Sequence, residues 1–220
     1  MSVLFGLSRF RGFLVLLVST ARLFCFVQST EADSCKSNLD LVFLVDGSRS
    51  IELYGDGNFR DALKFVKAVI DDFRFDHGRV RAGLTLFSTK VEEVFGLDRY
   101  KVKPDMFAAI DAVKFPDAGS DLGKALEWTR RETFNFTTEG VSRIVVVLSD
   151  GKSKDEIVEP SKKLAEKGVH ILMVTVGDNL DLVQLEQVVG GDEDDIFDFN
   201  SFQKLVERIN MDVCNGRLIV

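Results

Sequence analysis

Two short apolar segments constrain the fold of this chain more than any other feature. Residues 41–45 read Leu-Val-Phe-Leu-Val, residues 144–148 read Ile-Val-Val-Val-Leu, and an aspartate follows closely after each. Their shortness and their bulky, β-branched composition indicate strands that are buried on both faces of a sheet. Because an unpaired carboxylate is costly to bury, the acids at the strand ends indicate a polar edge of that sheet.

Helical and strand-like segments alternate along almost the whole chain. The predicted strands cover residues 39–46, 79–87, 91–95, 144–148, 170–176 and 196–199, and the predicted helices cover residues 59–73, 104–114, 121–133, 153–167, 182–189 and 201–213. A capping-box pattern, Ser-Lys-Asp-Glu, sets the start of the fourth helix at Ser153. The segment 91–95 follows its neighbour across a tight turn, which indicates an antiparallel edge strand. The pattern predicts an α/β fold with a doubly wound, mostly parallel six-stranded sheet and helices on both faces.

The first 32 residues have the layout of a secretory signal peptide. Arg9 and Arg11 precede an apolar stretch, and small or polar residues follow up to Ala32. Arg22 interrupts the apolar stretch before it reaches the roughly 20 residues that a membrane-spanning helix needs. We therefore expect an exported product without membrane insertion. Residues 33–220 are expected to form one domain with a core at about 39–213.

The charge balance argues against nucleic acid and anionic membranes as partners. The chain has 28 basic and 35 acidic residues. Without the predicted signal, which holds three arginines and one glutamate, the net charge becomes about −9. Phosphate-rich surfaces repel such a protein. About 185 residues remain, enough for one well-formed core and too few for two.

Two cysteines and one glycosylation triplet fit an exported protein. Cys25 lies in the predicted signal, so Cys35 and Cys214 remain, and an even number of cysteines in this compartment indicates a disulfide. Two separate thiols are the alternative. Asn135 begins the only Asn-x-Ser/Thr triplet of the chain and follows a predicted helix, where a surface loop is expected.

Oxygen-bearing side chains occur in three loops, two of which follow buried strands. Asp46, Ser48 and Ser50 follow the first strand at a Gly-containing turn, Asp150 follows the fourth strand, and Ser120 lies in a Gly-containing loop that opens a helix. Small oxygen ligands at this spacing suit a hard divalent cation. In open α/β sheets, ligands bind beyond the carboxyl ends of the strands, so we expect a single site. Taken singly, each residue could instead form a turn or cap a helix.

In this order, the three segments resemble the von Willebrand factor type A domain, the fold of integrin I domains. The resemblance covers about residues 39–213. Asp46, Ser48 and Ser50 match the family's Asp-x-Ser-x-Ser loop in full, and Asp150 matches its later strand-end aspartate. Ser120 stands where the family usually has threonine and keeps the hydroxyl. Leu122 replaces the second threonine of that loop, which departs from the family's pattern.

The resemblance implies a metal-ion-dependent adhesion site. Mg²⁺ is the expected ion, with Ca²⁺ or Mn²⁺ as alternatives, because few carboxylates and several retained waters suit Mg²⁺. The resemblance also implies that the open coordination position accepts an acidic side chain of an extracellular protein, such as a collagen or a matrix glycoprotein. The product is then a secreted adhesion module of the extracellular matrix and not an enzyme.

Two other functions remain open. A structural component of the matrix, including mineralised matrix, would act through its acidic surface without a metal-dependent ligand. We expect the acidic run 192–195 to be a solvated loop and His170 to be a strand-edge residue. An enzyme that uses the ion as a Lewis acid would need a general base, and none is evident near Asp46 or Asp150. The chain also has no Gly-x-Ser-x-Gly elbow.

Overall fold

The computed structural model describes residues 38–215, apart from Tyr54 and residues 76–77 and 136–139. The predicted signal peptide and Cys35 lie outside the described residues. In chain order the elements are β1 (Asn38–Asp46), α1 (Arg49–Leu53), α2 (Asn58–Asp72), β2 (Val80–Phe87), β3 (Val91–Phe95), α3 (Lys103–Asp111), α4 (Leu122–Trp128), β4 (Val141–Ser149), α5 (Val158–Ala165), β5 (Val169–Thr175), α6 (Leu182–Val188), β6 (Ile196–Phe197) and α7 (Phe202–Asn215). None of the described helices is long and apolar enough to cross a membrane.

The six strands form one sheet in the order β3-β2-β1-β4-β5-β6. Strand β3 runs antiparallel to β2, and every other neighbouring pair is parallel. The predicted α/β architecture, with its antiparallel edge strand, is therefore confirmed. The chain first builds the sheet outward from β1 to β3 and then resumes on the other side of β1 with β4. The strand order thus reverses between β1 and β4, which is where open α/β sheets bind ligands.

Strand β1 lies between two hydrophobic layers and is buried at all but its first position. On one face, Leu41 and Phe43 belong to the layer that contains residues of α2 and α7. On the other face, Val42 and Leu44 belong to the layer that contains residues of α4, α5 and α6. Successive side chains of a strand point to opposite faces, so a continuous apolar run is needed to fill both layers.

The predicted start of the fourth helix is wrong. Helix α5 begins at Val158, five residues after the capping-box serine. The hydroxyl of Ser153 instead accepts a hydrogen bond from Leu122 N at 2.8 Å, and the Asp155 carboxylate accepts from Gly123 N and Lys124 N. These side chains cap the N-terminus of α4, which is distant in sequence. The residues of the capping pattern therefore do accept hydrogen bonds from helix N–H groups, but those groups belong to α4 and not to α5.

The predicted helix 121–133 is divided. Regular α-helix ends at Trp128 and a π-helical turn follows at Thr129–Thr133. The Thr129 hydroxyl is buried and donates to the Ala125 carbonyl at 2.8 Å. A side chain that bonds to the preceding turn competes with the backbone ladder, which agrees with the change of helical type at this residue.

Candidate metal centre

The five predicted metal ligands lie at the carboxyl edge of the sheet, at the reversal between β1 and β4. Asp46 ends β1, and Asp150 directly follows the last residue of β4. Ser48 and Ser50 lie in and just after the loop that leaves β1, and Ser120 precedes α4. We call this set of five residues, Asp46, Ser48, Ser50, Ser120 and Asp150, the metal edge.

The loop that carries Ser120 is joined directly to the loop that follows β1. Ser48 and Ala118 form an isolated β-bridge, and Arg49 N donates to the Ala118 carbonyl at 2.9 Å. A Cβ on Gly47 would lie 2.5 Å from Pro116 Cγ, so only glycine allows this approach. The side chain of Arg49 adds an ion pair of 2.9 Å to Asp117.

Asp46 is the point where the three segments meet. Its Oδ1 accepts from Ser48 N at 2.8 Å. Its Oδ2 accepts from Ser149 Oγ at 2.7 Å and from Ser120 Oγ at 3.3 Å. Asp46 is only 1% exposed. Ser120, which stands 74 residues from Asp46 in the chain, is therefore brought within reach of the first loop.

The hydroxyls of Ser48 and Ser50 face each other at 3.0 Å. Ser48 is buried and Ser50 is half-buried. Spacing of two residues in this tight loop places both oxygens on the same side, next to the Asp46 carboxylate that Ser48 also contacts through its backbone.

Asp150 is buried and incompletely satisfied. Its Oδ1 accepts from Lys152 N at 3.1 Å. Its Oδ2 has no hydrogen-bond partner among the described residues, and the Lys152 ammonium lies 3.5 Å away, within ion-pair range. A buried carboxylate oxygen without a hydrogen bond is costly, which makes this atom suited to a cation.

Burial raises the pKa of Asp46 to about 6, although hydrogen bonds from Ser149 and Ser48 oppose the rise and the negative charge of Asp150 adds to it. Two carboxylates in one dry site repel each other unless a cation lies between them. The arrangement of two acids and three hydroxyls fits a hard divalent ion. Among the described residues, no group of three or more His, Cys, Asp or Glu side chains is placed to hold a metal, so such an ion must use the hydroxyls.

Gly151 fixes the backbone directly after Asp150. Its φ is 81°, and a Cβ there would lie 2.7 Å from the Asp181 carbonyl oxygen. Asp181 N in turn donates to the Asp150 carbonyl at 2.9 Å. The Asp150 loop is thereby held against the start of α6, in a conformation that favours glycine.

Sequence reasoning missed Ser149 as a separate contributor. Its hydroxyl makes the shortest hydrogen bond described for Asp46 and also accepts from Gly151 N at 3.1 Å. The strand register contains the missing signal. Leu148 pairs with Val45, so the next residue of β4 stands beside Asp46, and a hydroxyl is the natural partner for a carboxylate there.

A second buried polar group lies at the amino end of β5, and we call it the salt-bridge cluster. It consists of His170, Asp195, Arg208 and Asp212. His170 Nε2 lies 2.6 Å from Asp195 Oδ2, and His170 Nδ1 lies 2.6 Å from Asp212 Oδ2. Arg208 Nη2 lies 2.6 Å from Asp195 Oδ1.

The expectation that the acidic run 192–195 is a solvated loop is therefore wrong for Asp195, which is 3% exposed. Burial alone lowers the pKa of His170, but hydrogen bonds to Asp195 and Asp212 outweigh it and raise that pKa to about 9. The imidazole is thus held as a cation between two carboxylates.

Two other predicted sites, the disulfide and the glycosylation site, stay predictions. Cys214 is exposed on α7, and its proposed partner Cys35 lies outside the described residues. Asn135 is exposed, but the other two residues of its triplet also lie outside the described part of the chain.

The metal edge is separate from a cavity that other residues line. A cavity of about 700 Å³ exists elsewhere, lined by residues that include Asp40, Arg81, Phe95 and Thr133. None of the five metal-edge residues lines it.

Comparison with known proteins identifies the family. The family model of the von Willebrand factor type A domain matches residues 40–210. The collagen alpha-4(VI) chain of Mus musculus is 32% identical over 193 residues, which cover 84% of this chain and 8% of that protein. Matrilin-1 of Gallus gallus is 28% identical over 185 residues, which cover 81% of this chain and 37% of that protein. The chain therefore spans well under half of the length of these relatives.

Solved structures agree on the fold. Proximal thread matrix protein 1 from the mussel byssus, with a zinc-occupied MIDAS motif, superposes with a TM-score of 0.70 at 26% identity, covering 82% of this chain and 47% of that one. Manganese-loaded Plasmodium vivax TRAP protein gives 0.69 at 18% identity, covering 80% of this chain and 74% of that one.

The collagen, matrilin and vitrin relatives are extracellular-matrix proteins with domains of this type. They confirm the predicted matrix localisation, and they support an adhesion or interaction module in preference to an enzyme. The chain belongs to the von Willebrand factor type A domain family, in the form found in proteins of the extracellular matrix.

Proposed function

We propose that this chain is an adhesion module that binds an extracellular protein through a divalent cation at the metal edge. The observation that carries the proposal is that two acids are buried there and one of them lacks a hydrogen bond. Asp46 and Asp150 are both buried, and Asp150 Oδ2 has no hydrogen bond from any described residue. A cation would compensate both carboxylates at once.

The ion proposed is Mg²⁺, with Ca²⁺ or Mn²⁺ as alternatives. Side-chain oxygens of Ser48, Ser50 and Ser120 would hold it, with Asp46 and Asp150 bound directly or through water. Three of these five groups are uncharged, so the ion keeps much of its attraction for an external acid. Support for a divalent ion comes from two structures of the same fold, one with zinc in its MIDAS motif and one loaded with manganese.

The proposed partner offers an acidic side chain, and a collagen or a matrix glycoprotein is the class we favour. When bound, the ion supplies a Lewis-acidic anchor for that carboxylate. The chain's own contribution is rigidity. The loops at Gly47 and Gly151 tolerate no side chain, so the hydroxyls and acids are held in place before the partner arrives, which lowers the entropic cost of binding.

We also propose that the module does not catalyse a reaction. The described histidine, His170, lies at the amino end of β5 and is held by Asp195 and Asp212. A general base beside the metal edge is not evident among the other described residues. The signal peptide at residues 1–32, the single domain at 33–220, the Cys35–Cys214 disulfide and a glycan on Asn135 belong to the same proposal of a secreted glycoprotein.

The test combines ion binding with partner capture. The purified, oxidised protein is titrated calorimetrically with Mg²⁺, Ca²⁺ and Mn²⁺ and then used to capture partners from an extracellular-matrix extract with and without chelator. Asp46→Ala and Asp150→Ala should each weaken ion binding by about a hundredfold, comparable to the loss of a ligand or its support. Asp61→Ala removes an exposed acid that forms an ion pair with Lys64 and should bind ions like the unaltered protein.

Capture that disappears with chelator and with both site variants supports the proposal. Capture that is insensitive to chelator but weakened by salt would contradict it. That result would favour the alternative function, a structural matrix component that acts through its acidic surface.

A further inference from the structure

The side chain of Lys152 lies over the metal edge. Its Nζ is 3.5 Å from Asp150 Oδ2, and it also donates a hydrogen bond to the carbonyl of Asn179 in the segment after β5. The side chain is 29% exposed, against 3% for that of Asp150. Lys152 is thus folded back against a buried acid rather than extended into solvent.

Holding a lysine side chain in one conformation costs rotamer entropy, so a favourable interaction must offset it. Two neighbouring groups, the Asn179 carbonyl and the Asp150 carboxylate, supply this favourable interaction. The Asn179 carbonyl fixes the ammonium, and the Asp150 oxygen that faces it has no hydrogen bond of its own. The ammonium therefore provides part of the positive charge that two buried carboxylates require.

The neighbouring Lys154 shows that this placement is specific. Lys154 is exposed, and its Nζ lies 3.9 Å from the position of a Cβ on Gly119, beside the Ser120 loop. Its ammonium forms no ion pair with a carboxylate among the described residues. The two lysines lie on the same edge, but only Lys152 is partly buried, donates to the Asn179 carbonyl and contacts Asp150.

We infer that Lys152 is a tethered cation that competes with the divalent ion for Asp150. The inference rests on the proposed function of the metal edge. The ammonium stabilises the protein when no ion is bound, and it must leave Asp150 when a divalent cation shares that carboxylate, because like charges repel at this distance. Lys152 therefore sets the ion affinity of the site below what its oxygens alone would give.

The test compares Lys152→Met with Lys154→Met, which removes the same charge from the same edge. Both variants are titrated calorimetrically with Mn²⁺ alone and with Mg²⁺ alone, and their melting temperatures are measured in chelator. Lys152→Met should bind the ion about tenfold more tightly and melt at a lower temperature than the unaltered protein in chelator. Lys154→Met should change both quantities little, and Lys152→Arg, which keeps the charge, should keep the weak binding.

The outcomes separate this inference from the proposed function. If the unaltered protein binds the ion and Lys152→Met binds it with the same affinity, or if Lys154→Met tightens binding as much, the tethered cation is refuted while the metal edge stands. If no variant binds an ion, both proposals fail. If Lys152→Met binds the ion and the unaltered protein does not, the inference holds, and Lys152 prevents ion binding in the unaltered protein.

Discussion

Two pairs of buried aspartates lie at opposite ends of the same sheet, and they are compensated in different ways. Asp46 and Asp150 lie at the carboxyl ends of β1 and β4, surrounded by hydroxyls and backbone N–H groups. Asp195 and Asp212 lie against His170 at the amino end of β5. Both pairs are removed from water, so each must find its positive charge within reach.

The salt-bridge cluster contains its own cations. His170 bonds both aspartates, and Arg208 approaches Asp195 to 2.6 Å and Asp212 to 3.9 Å. The contact between Arg208 and Asp195 is at ion-pair distance without the alignment of a hydrogen bond, since neither of its two atoms has a hydrogen-bond partner in the described structure. Among the four cluster residues, two positive and two negative charges nevertheless balance, and the more exposed Asp192 carboxylate lies 3.7 Å from Arg208 at the rim.

The metal edge lacks this balance of charge, and the pKa shifts of the two sites differ accordingly. At the metal edge burial raises the pKa of a carboxyl, Asp46, to about 6. In the salt-bridge cluster the carboxylates raise the pKa of a histidine to about 9. A cluster that is neutral by itself serves stability, whereas a cluster with surplus negative charge is suited to an external cation. Lys152 supplies only one positive charge, at 3.5 Å.

The largest effect should follow from removal of the arginine of the balanced cluster. Arg208→Met leaves two buried carboxylates with a single cation and should destabilise the protein by about 3 kcal/mol. Urea unfolding followed by circular dichroism measures the change. Lys64→Met removes an exposed i,i+3 ion pair with Asp61 and should cost under about 0.5 kcal/mol. Equal losses in the two variants would show that the buried cluster contributes no more than a surface pair.

A smaller effect should appear when the pH is raised. Because the folded-state pKa of His170, about 9, lies above its ordinary value of 6.5, the associated stability is fully present below pH 6.5 and is lost as the pH rises through 9. After discounting for partial solvent screening, we expect a loss of about 1–2 kcal/mol over this window. His170→Gln should remove the dependence. Unfolding curves at pH 6, 7.5 and 9.5 provide the comparison, and a slope unchanged in the variant would assign the loss to another group.

The clustering of the five metal-edge residues could be predicted from the sequence because the information for it is local, while their role as metal ligands stays a prediction. Asp46, Ser48 and Ser50 lie within five residues of one another, and each acid stands at the end of an apolar strand whose burial the composition indicates. The topology rule for parallel sheets then brings the loops together. The structure places Ser120 within 3.3 Å of Asp46, as this reasoning expected.

The salt-bridge cluster was not predictable in the same way, because only Arg208 and Asp212, four residues apart on α7, are local to each other, and the other contacts depend on tertiary packing. His170 meets Asp195 across 25 residues of chain and Asp212 across 42. Within the run 192–195, nothing local distinguishes Asp195 from its exposed neighbours. The start of a helix at Ser153 was wrongly predicted for the same reason, since Ser153 and Asp155 cap a helix more than 30 residues earlier in the chain.

The smallest expected effect has the opposite sign and tests the metal edge directly. Asp46→Asn resembles the protonated acid, which the folded protein favours because burial raises the pKa of Asp46 from 3.8 to about 6. An acid of this kind loses stability as the pH rises from 3.8 through 6, so above pH 6 the variant should be more stable than the unaltered protein in chelator. The gain should be about 1 kcal/mol, reduced because an amide replaces an acceptor of two hydroxyl hydrogen bonds.

Saturating Mg²⁺ should reverse the order of stability of the two proteins, since only the unaltered protein gains stability from a bound ion. Melting curves of both proteins with chelator and with Mg²⁺ measure this reversal. A variant less stable under both conditions would mean that Asp46 is a structural acid like Asp195, and the contrast between the two ends of the sheet would disappear.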